Sequence, residues 1–466
     1  MFHARLSSGF FAIVLVLAAT SSGLAAGKQP DILLIMADDV GIEGLGCYGG
    51  ASYNTPNLDA LAADGVRFTH AYAQPLCTPT RVQLMTGKYN HRNWRYFGIL
   101  DPSEQTFGHA MKSAGYTTGI FGKWQLQSYD PPDLPGAEER RGTGMHPKDA
   151  GFDEYALFHA LHTEDKGSRY ANPTMLEGKA AQPGEAKTYE GRYGEDVWVA
   201  KILDFLDRNE GEPRFVYYPM ALPHWPFEPT PQSPEWNPRA TPEADLEFAD
   251  DMIEYMDVVV GRLMDELRAR QLERDTIVIF YSDNGTHLKV TSKMRDGRAI
   301  AGGKAMPTQT GIHVPLIVHC PNRYEPKVAN GIVDASDFWP TLLELAGAKP
   351  NAAESERDGV SFVSQLQGTP GPRRDAAFFW YDPRPGWDKE RFTRHVFALN
   401  KTHKYFRDGR LFRFSDTPLE ETLVSPSKMS AADRANKQQL AEIIRSTMSG
   451  VNEPPLVDAY GKPMKE

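Results

Sequence analysis

The chain has 466 residues, 41% of them apolar, which is enough for a sizeable core and excludes wholesale disorder. Its 51 Lys and Arg stand against 61 Asp and Glu, a formal charge of −10, so it lacks the basic footprint of a nucleic-acid binder. Three cysteines, Cys47, Cys77 and Cys320, make no disulfide framework, and at least one must stay unpaired.

Residues 1–25 read as a secretory signal peptide. Arg5 precedes an unbroken apolar run from Phe10 to Ala19, and small residues follow, with a cleavage site at Gly23-Leu24-Ala25 and Ala26 or Gly27 as near alternatives. The run is shorter than the ~20 apolar residues that a membrane span needs. The expected mature protein is periplasmic or secreted, without membrane attachment.

Residues 28–350 read as an α/β catalytic domain. Residues 31–37 form a buried strand ending at Asp38-Asp39. Thr55-Pro56 opens a helix over Asn57–Ala63, Gly65 stops it, and Val66–Ala73 returns as a strand. A helical stretch is predicted over Val82–Thr86, a helix over Thr106–Ser113 and a strand over Thr117–Phe121. Glu195–Arg208 is helical and Arg214–Met220 is a strand. Leu246–Arg270 makes a long helix, and Thr276–Tyr281 a strand ending at Ser282-Asp283-Asn284-Gly285. Leu316–His319 is a strand and Pro340–Ala346 a helix. Asp130–Ala150 and the proline-rich Pro226–Pro242 read as long loops. Residues 351–466 read as a smaller α+β domain. Its strands are Ala376–Tyr381, Val396–Asn400 and Lys404–Arg407, with a hairpin turn at Asp408-Gly409 into Leu411–Phe414. A final helix covers Ala431–Met448.

Alternating strands and helices predict a layered α/β fold, whose ligands bind outside the carboxyl ends of the strands. Asp38, Asp39, Asp283 and Asn284 lie at such ends. Four oxygen donors suit Ca²⁺ or Mg²⁺ better than zinc. Cys77 sits between a strand and a helical stretch, four residues before Arg81. A helix N-terminus and a guanidinium both favour a thiolate, which makes Cys77 a candidate nucleophile.

The segment Cys77-Thr78-Pro79-Thr80-Arg81, continuing to Leu84-Met85-Thr86-Gly87, resembles the sulfatase signature. So do Asp38-Asp39, Thr55-Pro56-Asn57-Leu58-Asp59, Gly122-Lys123-Trp124, Pro223-His224-Trp225-Pro226-Phe227, Ser282-Asp283-Asn284-Gly285, Gly303-Lys304 and Asp408-Gly409-Arg410-Leu411. The resemblance implies the alkaline-phosphatase-like sandwich, with a mixed, mostly parallel central sheet and a smaller C-terminal domain. It implies formylglycine made from Cys77 by a formylglycine-generating or related maturation enzyme, and Ca²⁺ held by Asp38, Asp39, Asp283, Asn284 and residue 77. It assigns Arg81 to holding the formylglycine hydrate, Lys123 and Lys304 to sulfate oxygens, and His224 to the bridging oxygen. One hydroxyl of that hydrate attacks sulfur; the other loses its proton and expels sulfate, an exit that serine lacks.

Two departures stand out. Gly-Lys-Trp-His-Leu is here Gly122-Lys123-Trp124-Gln125-Leu126, and Gln125 cannot take a proton. Glu-Gly-Gly-x-Arg-Val-Pro is here Gln309-Thr310-Gly311-Ile312-His313-Val314-Pro315, which loses a Glu and an Arg together and reads as structural. The expected substrate is a sulfated small molecule or saccharide. A phosphonate monoester or phosphodiester hydrolase of the same superfamily, and a weakly catalytic protein that binds sulfated ligands, are the competing readings. Trp94, Tyr96 and Trp225 are candidates for stacking on a sugar face. Cys47 and Cys320 are expected to be free.

Overall fold

The computed structural model describes Met1 and residues 29–464 apart from 241–242, 349–355, 416 and 418. The expected signal peptide, Met1 aside, and the expected boundary at 350/351 lie outside the described residues. Among those residues no helix is long and apolar enough to cross a membrane.

The strands of the main sheet are β1 (Ile32–Ala37), β2 (Val66–Tyr72), β3 (Thr117–Lys123), β4 (Glu154–Phe158), β5 (Thr174–Lys179), β6 (Glu185–Thr188), β7 (Arg214–Pro219) and β8 (Ile277–Ser282). A small hairpin, β9 (Thr291–Lys293) and β10 (Ala299–Ala301), stands apart. Two more strands, β11 (Leu316–His319) and β12 (Lys327–Asp334), then rejoin the sheet. The spatial order is β12-β2-β11-β8-β1-β7-β3-β4-β5-β6. β8, β1, β7, β3 and β4 form its parallel centre. β11 runs against both β8 and β2, so β2 points the same way as β8.

Alternation along β1 divides the core. Ile32, Leu34 and Met36 pack on one face with Phe107 and Leu342, while Leu33, Ile35 and Ala37 pack on the other with Trp198 and Val259. Helices Phe107–Ser113 and Phe338–Leu345 therefore cover one face, and Gly194–Arg208 and Phe248–Ala269 the other. The last of these buries Met252, Met256, Val259, Val260, Leu263 and Leu267 at helical spacing. Each such side chain stabilises the layer by about 1.5–3 kcal/mol before chain entropy is subtracted.

Toward the C-terminus, β13 (Ala377–Tyr381), β14 (His395–Leu399), β15 (His403–Phe406), β16 (Leu411–Phe414) and β17 (Glu421–Leu423) form an antiparallel sheet in that order. Leu440 and Ile444 of the helix Ala431–Met448 pack with Phe378, Trp380 and Ala398. The same apolar cluster contains Leu76, Cys77, Tyr89 and Phe97, so the smaller sheet leans on the segment that carries the candidate nucleophile.

Most predicted elements form within a few residues of their expected ends. The helix expected from Val82 begins at Cys77, because Pro79 is tolerated in a first turn, where no N–H is needed. β4, β5, β6, β9, β10, β12 and β17 had no predicted counterpart. β6 (Glu-Ala-Lys-Thr) is a fully exposed edge with no apolar alternation, and β12 is broken by an irregularity between Ala329 and Ile332. Asp130–Ala150, expected as loop, contains two short turns of helix, at Ala137–Arg140 and Pro147–Asp149.

Candidate active site

Six strands with carboxyl ends on one edge of the sheet deliver the candidate residues. β1 leads to Asp38 and Asp39, β2 to Cys77, β3 to Lys123 and Gln125, β4 to His159, β7 to His224, and β8 to Asp283 and Asn284. Lys304 arrives on the loop after β10. Cys77 is buried at the head of the helix Cys77–Thr86, and Thr80 Oγ1 donates to the Asp283 carbonyl at 2.6 Å, tying that helix to the β8 loop.

Each cation is matched to a carboxylate. Lys123 Nζ lies 2.5 Å from Asp38 Oδ2, and Lys304 Nζ 2.6 Å from Asp39 Oδ2. Arg81 donates through Nε and Nη2 to Asp283 Oδ2 at 3.1 and 2.9 Å, and through Nη1 to the Lys123 carbonyl. Asn284 Nδ2 donates to Asp39 Oδ1 at 2.8 Å, and the Asp39 N–H to Asp283 Oδ1 at 3.2 Å. Sequence-distant motifs are thus brought into one connected network.

The charges shift one another. Burial pushes the Asp38 carboxyl up, but Lys123, Arg81 and Lys304 outweigh it and hold the group below its usual value. Burial, aided by Asp38, raises Asp283 despite Arg81. Burial lowers Lys123, whereas for Lys304 the attraction of Asp39 overcomes burial and raises it. His224 is kept neutral by burial and then by Lys123, Lys304 and Arg169.

The donor set fits a hard cation. Asp38 Oδ1 and Asn284 Oδ1 are buried without a hydrogen-bond partner, beside three carboxylates. Ligand atoms of Asp38, Asp39 and His224 lie within 4.8 Å of one another, with His224 Nε2 4.0 Å from Asp39 Oδ2. A divalent ion there would oppose the burial and the neighbouring carboxylates that together raise Asp283. Some backbone strain also lies at the same place. Asp39, Gln125, His159 and Ala305 have φ of 75°, 54°, 57° and 73°, a region that non-glycine residues avoid.

Several residues had no sequence signal because no motif covers them. Arg169 Nη1 lies 3.2 Å from His224 Nδ1. The carbonyl of His159 accepts the Gln125 N–H at 3.2 Å. The His159 ring is kept neutral by burial and by Arg169, Lys123 and Arg81, and its buried Nδ1 has no partner. Gln125 Oε1 is likewise buried and unpartnered.

A cavity of about 250 Å³ opens over the network, lined by Cys77, His224, Trp225, Lys304, Trp387 and Lys389 among others. Trp225 and Trp387, 36% and 41% exposed, stand at its mouth. Of the aromatic candidates, only Trp225 lines it. Trp94 is core, its indole N–H donating to the Arg384 carbonyl at 2.7 Å, and Tyr96 packs under Arg140. A larger cavity, about 630 Å³, lies beside β4–β6 and contains no candidate site residue. His313 Nε2 meets the Thr69 carbonyl at 2.9 Å and its ring packs on Tyr72, and the Gln309 N–H donates to Glu421. All three cysteines are free, and burial pushes Cys47 to about 12 and Cys320 to about 11.

Residues 30–348 match the family model described as Sulfatase. The chain belongs to the sulfatase family. These enzymes are sulfuric ester hydrolases, and their relatives agree with that over most of the length. Arylsulfatase A of Bos taurus is 32% identical over 452 residues, covering 89% of this chain and 82% of that one. N-acetylgalactosamine-6-sulfatase of Canis lupus familiaris is 28% identical over 436 residues, covering 85% and 77%. Among solved structures, Ps i-CgsB in complex with k-i-k-neocarrahexaose superposes with a TM-score of 0.68 at 22% identity, over 92% of this sulfatase and 94% of that chain. The large mixed sheet with a smaller antiparallel C-terminal sheet is thus the sulfatase fold.

Proposed function

We propose that this sulfatase is exported and removes a sulfate ester from a terminal sulfated sugar, or an aryl group of similar size, using formylglycine made from Cys77. The observation that carries the reading is the cavity that joins buried Cys77 to Lys304, His224 and two exposed tryptophans. At about 250 Å³ it falls below the roughly 300–1,000 Å³ common for ligand pockets, which suits one ring rather than a threaded polymer. The names of the relatives, an arylsulfatase and a hexosamine sulfatase, support the same two classes.

A hydrated aldehyde at residue 77 supplies two hydroxyls on one carbon, one to take the sulfuryl group and one to drive its release. Asp38, Asp39, Asp283 and Asn284 would hold Ca²⁺, which when bound lowers the pKa of an adjacent hydroxyl and polarises sulfate oxygens. Arg81 positions residue 77, and Lys123 and Lys304, which lie beside Asp38 and Asp39, would grip sulfate oxygens. His224 faces the leaving alcohol. The proton that Gln125 cannot accept goes to His159, whose backbone carbonyl accepts the Gln125 N–H and whose neutral imidazole has a buried, unpartnered Nδ1.

Peptide mapping of protein from its own host tests the modification: residue 77 is expected to lack sulfur and to carry an aldehyde. Only intact thiol in active protein overturns it. Cys77→Ser is expected to stop after one turnover on 4-nitrophenyl sulfate. Sulfated monosaccharides, a phosphodiester and a phosphonate monoester assayed in parallel should show preference for the sulfates.

A further inference from the structure

Lys389 stands in the wall of the cavity that contains Cys77, only 5% exposed. It comes from the loop between β13 and β14, 85 residues after Lys304. Its Nζ donates to the carbonyls of Trp387 at 3.0 Å and Asp388 at 3.5 Å. It lies 4.1 Å from the ring centre of Phe97, with Tyr129 and Phe392 at 5.7 and 5.8 Å. The third N–H has no acceptor among the described residues.

The other buried cations of the pocket are committed. Lys123, Lys304 and Arg81 each hold a carboxylate within 3 Å. Lys389 has no carboxylate within ion-pair distance among the described residues. A buried ammonium left unpaired is costly, and aromatic faces and two carbonyls compensate only part of the lost hydration. Such a charge in a substrate pocket is matched when the substrate brings an anion of its own. The sulfate ester itself already has Lys123 and Lys304 assigned to it. Arg391, exposed at the rim of the same cavity, adds a second cation on that side.

We propose that Lys389 is a specificity residue that selects substrates carrying a second anionic group, a carboxylate or another sulfate, on the ring that bears the sulfate ester. This rests on the sulfatase reading of the pocket and names a class of substrate within it. Burial holds the ammonium down to about 8, with Lys304 and Arg391 lowering it further and Cys77 and Asp388 opposing. The preference should therefore be present at pH 7 and fade as the group loses its proton above about 8.

The test uses two aryl sulfates of nearly equal shape, 3-sulfooxybenzoate and its methyl ester, with the 4-substituted pair to scan position. The wild-type enzyme should show the lower KM for a carboxylate than for its ester at pH 7. In Lys389→Met the KM for the carboxylate should rise about ten- to hundred-fold, the range of a charged hydrogen bond. The ester should change less than about three-fold, the noise expected of a side chain that makes no specific contact. Lys389→Arg, which keeps the charge, should retain the preference. Equal losses on both substrates, or none on either, would overturn the proposal and leave a loop-anchoring lysine. If Lys389→Met does not fold, the wild-type pH profile decides. KM for the carboxylate should climb between pH 7 and 9 while that for the ester stays level, and parallel profiles would overturn it. Failure of the wild-type enzyme on every sulfate ester would instead count against the catalytic reading itself.

Discussion

Gln125 and His159 pose the sharpest question for single residues in the site. The backbone joins them directly, both adopt positive φ, and each keeps a buried polar atom without a partner. An amide can orient a hydroxyl but cannot carry off its proton, whereas a neutral imidazole can. His159→Ala is therefore expected to lower kcat about 10²-fold, the usual scale of general base catalysis. Gln125→His should leave kcat near wild type, and adding it to His159→Ala should recover much of the loss. Steady-state kinetics with a fast-leaving substrate, 4-nitrophenyl sulfate, for which sulfate release limits kcat, measure all three. An unchanged kcat in His159→Ala would return that proton to solvent. Gln125 was visible as a broken motif, but its neighbour was not, since nothing in Leu157-Phe158-His159 marks the histidine off from strand-end packing.

Between β3 and β7 the backbones come unusually close. Gly122 has φ of 138°, and a Cβ there would sit 2.0 Å from the Pro219 carbonyl oxygen. Only glycine lets β3 lie against β7 at this point, and that contact sets where Lys123 emerges. Gly122→Ala should destabilise the protein by about 2–4 kcal/mol, seen as a lower urea midpoint, and should cut kcat even in the folded fraction. The Gly-Lys-Trp motif was legible because the constraint is local. The two edge strands of the sheet were not, for opposite physical reasons. β6 exposes all four residues and has no apolar face to read, while β12 owes its pairing with β2 to tertiary contact across a break in register.

For the molecule as a whole, a net charge of −10 is a poor guide to a pocket for an anion. Arg81, Lys123, Lys304 and Lys389 are gathered around one pocket, with Asp38, Asp39 and Asp283 among them. The carboxylates among them should make stability depend on metal. A site filled at a hundred times its Kd adds about 2.7 kcal/mol. Excess Ca²⁺ should therefore raise the melting temperature, EGTA should reverse it, and Asp283→Asn should blunt the response. Identical calorimetric melts with and without Ca²⁺ would overturn the metal reading. The sequence by itself determined the layered α/β class, the strand-end placement of the acidic pairs, Cys77 at a helix head, and the family. Each of these depends on residues within a few positions of one another. Only the tertiary structure separated Trp225, at the cavity mouth, from Trp94, in the core. It alone brought Lys389 and Trp387 from the C-terminal sheet onto the pocket of Cys77. Pocket walls are built from packing between segments far apart in the chain, and no local pattern encodes which distant side chain will face which.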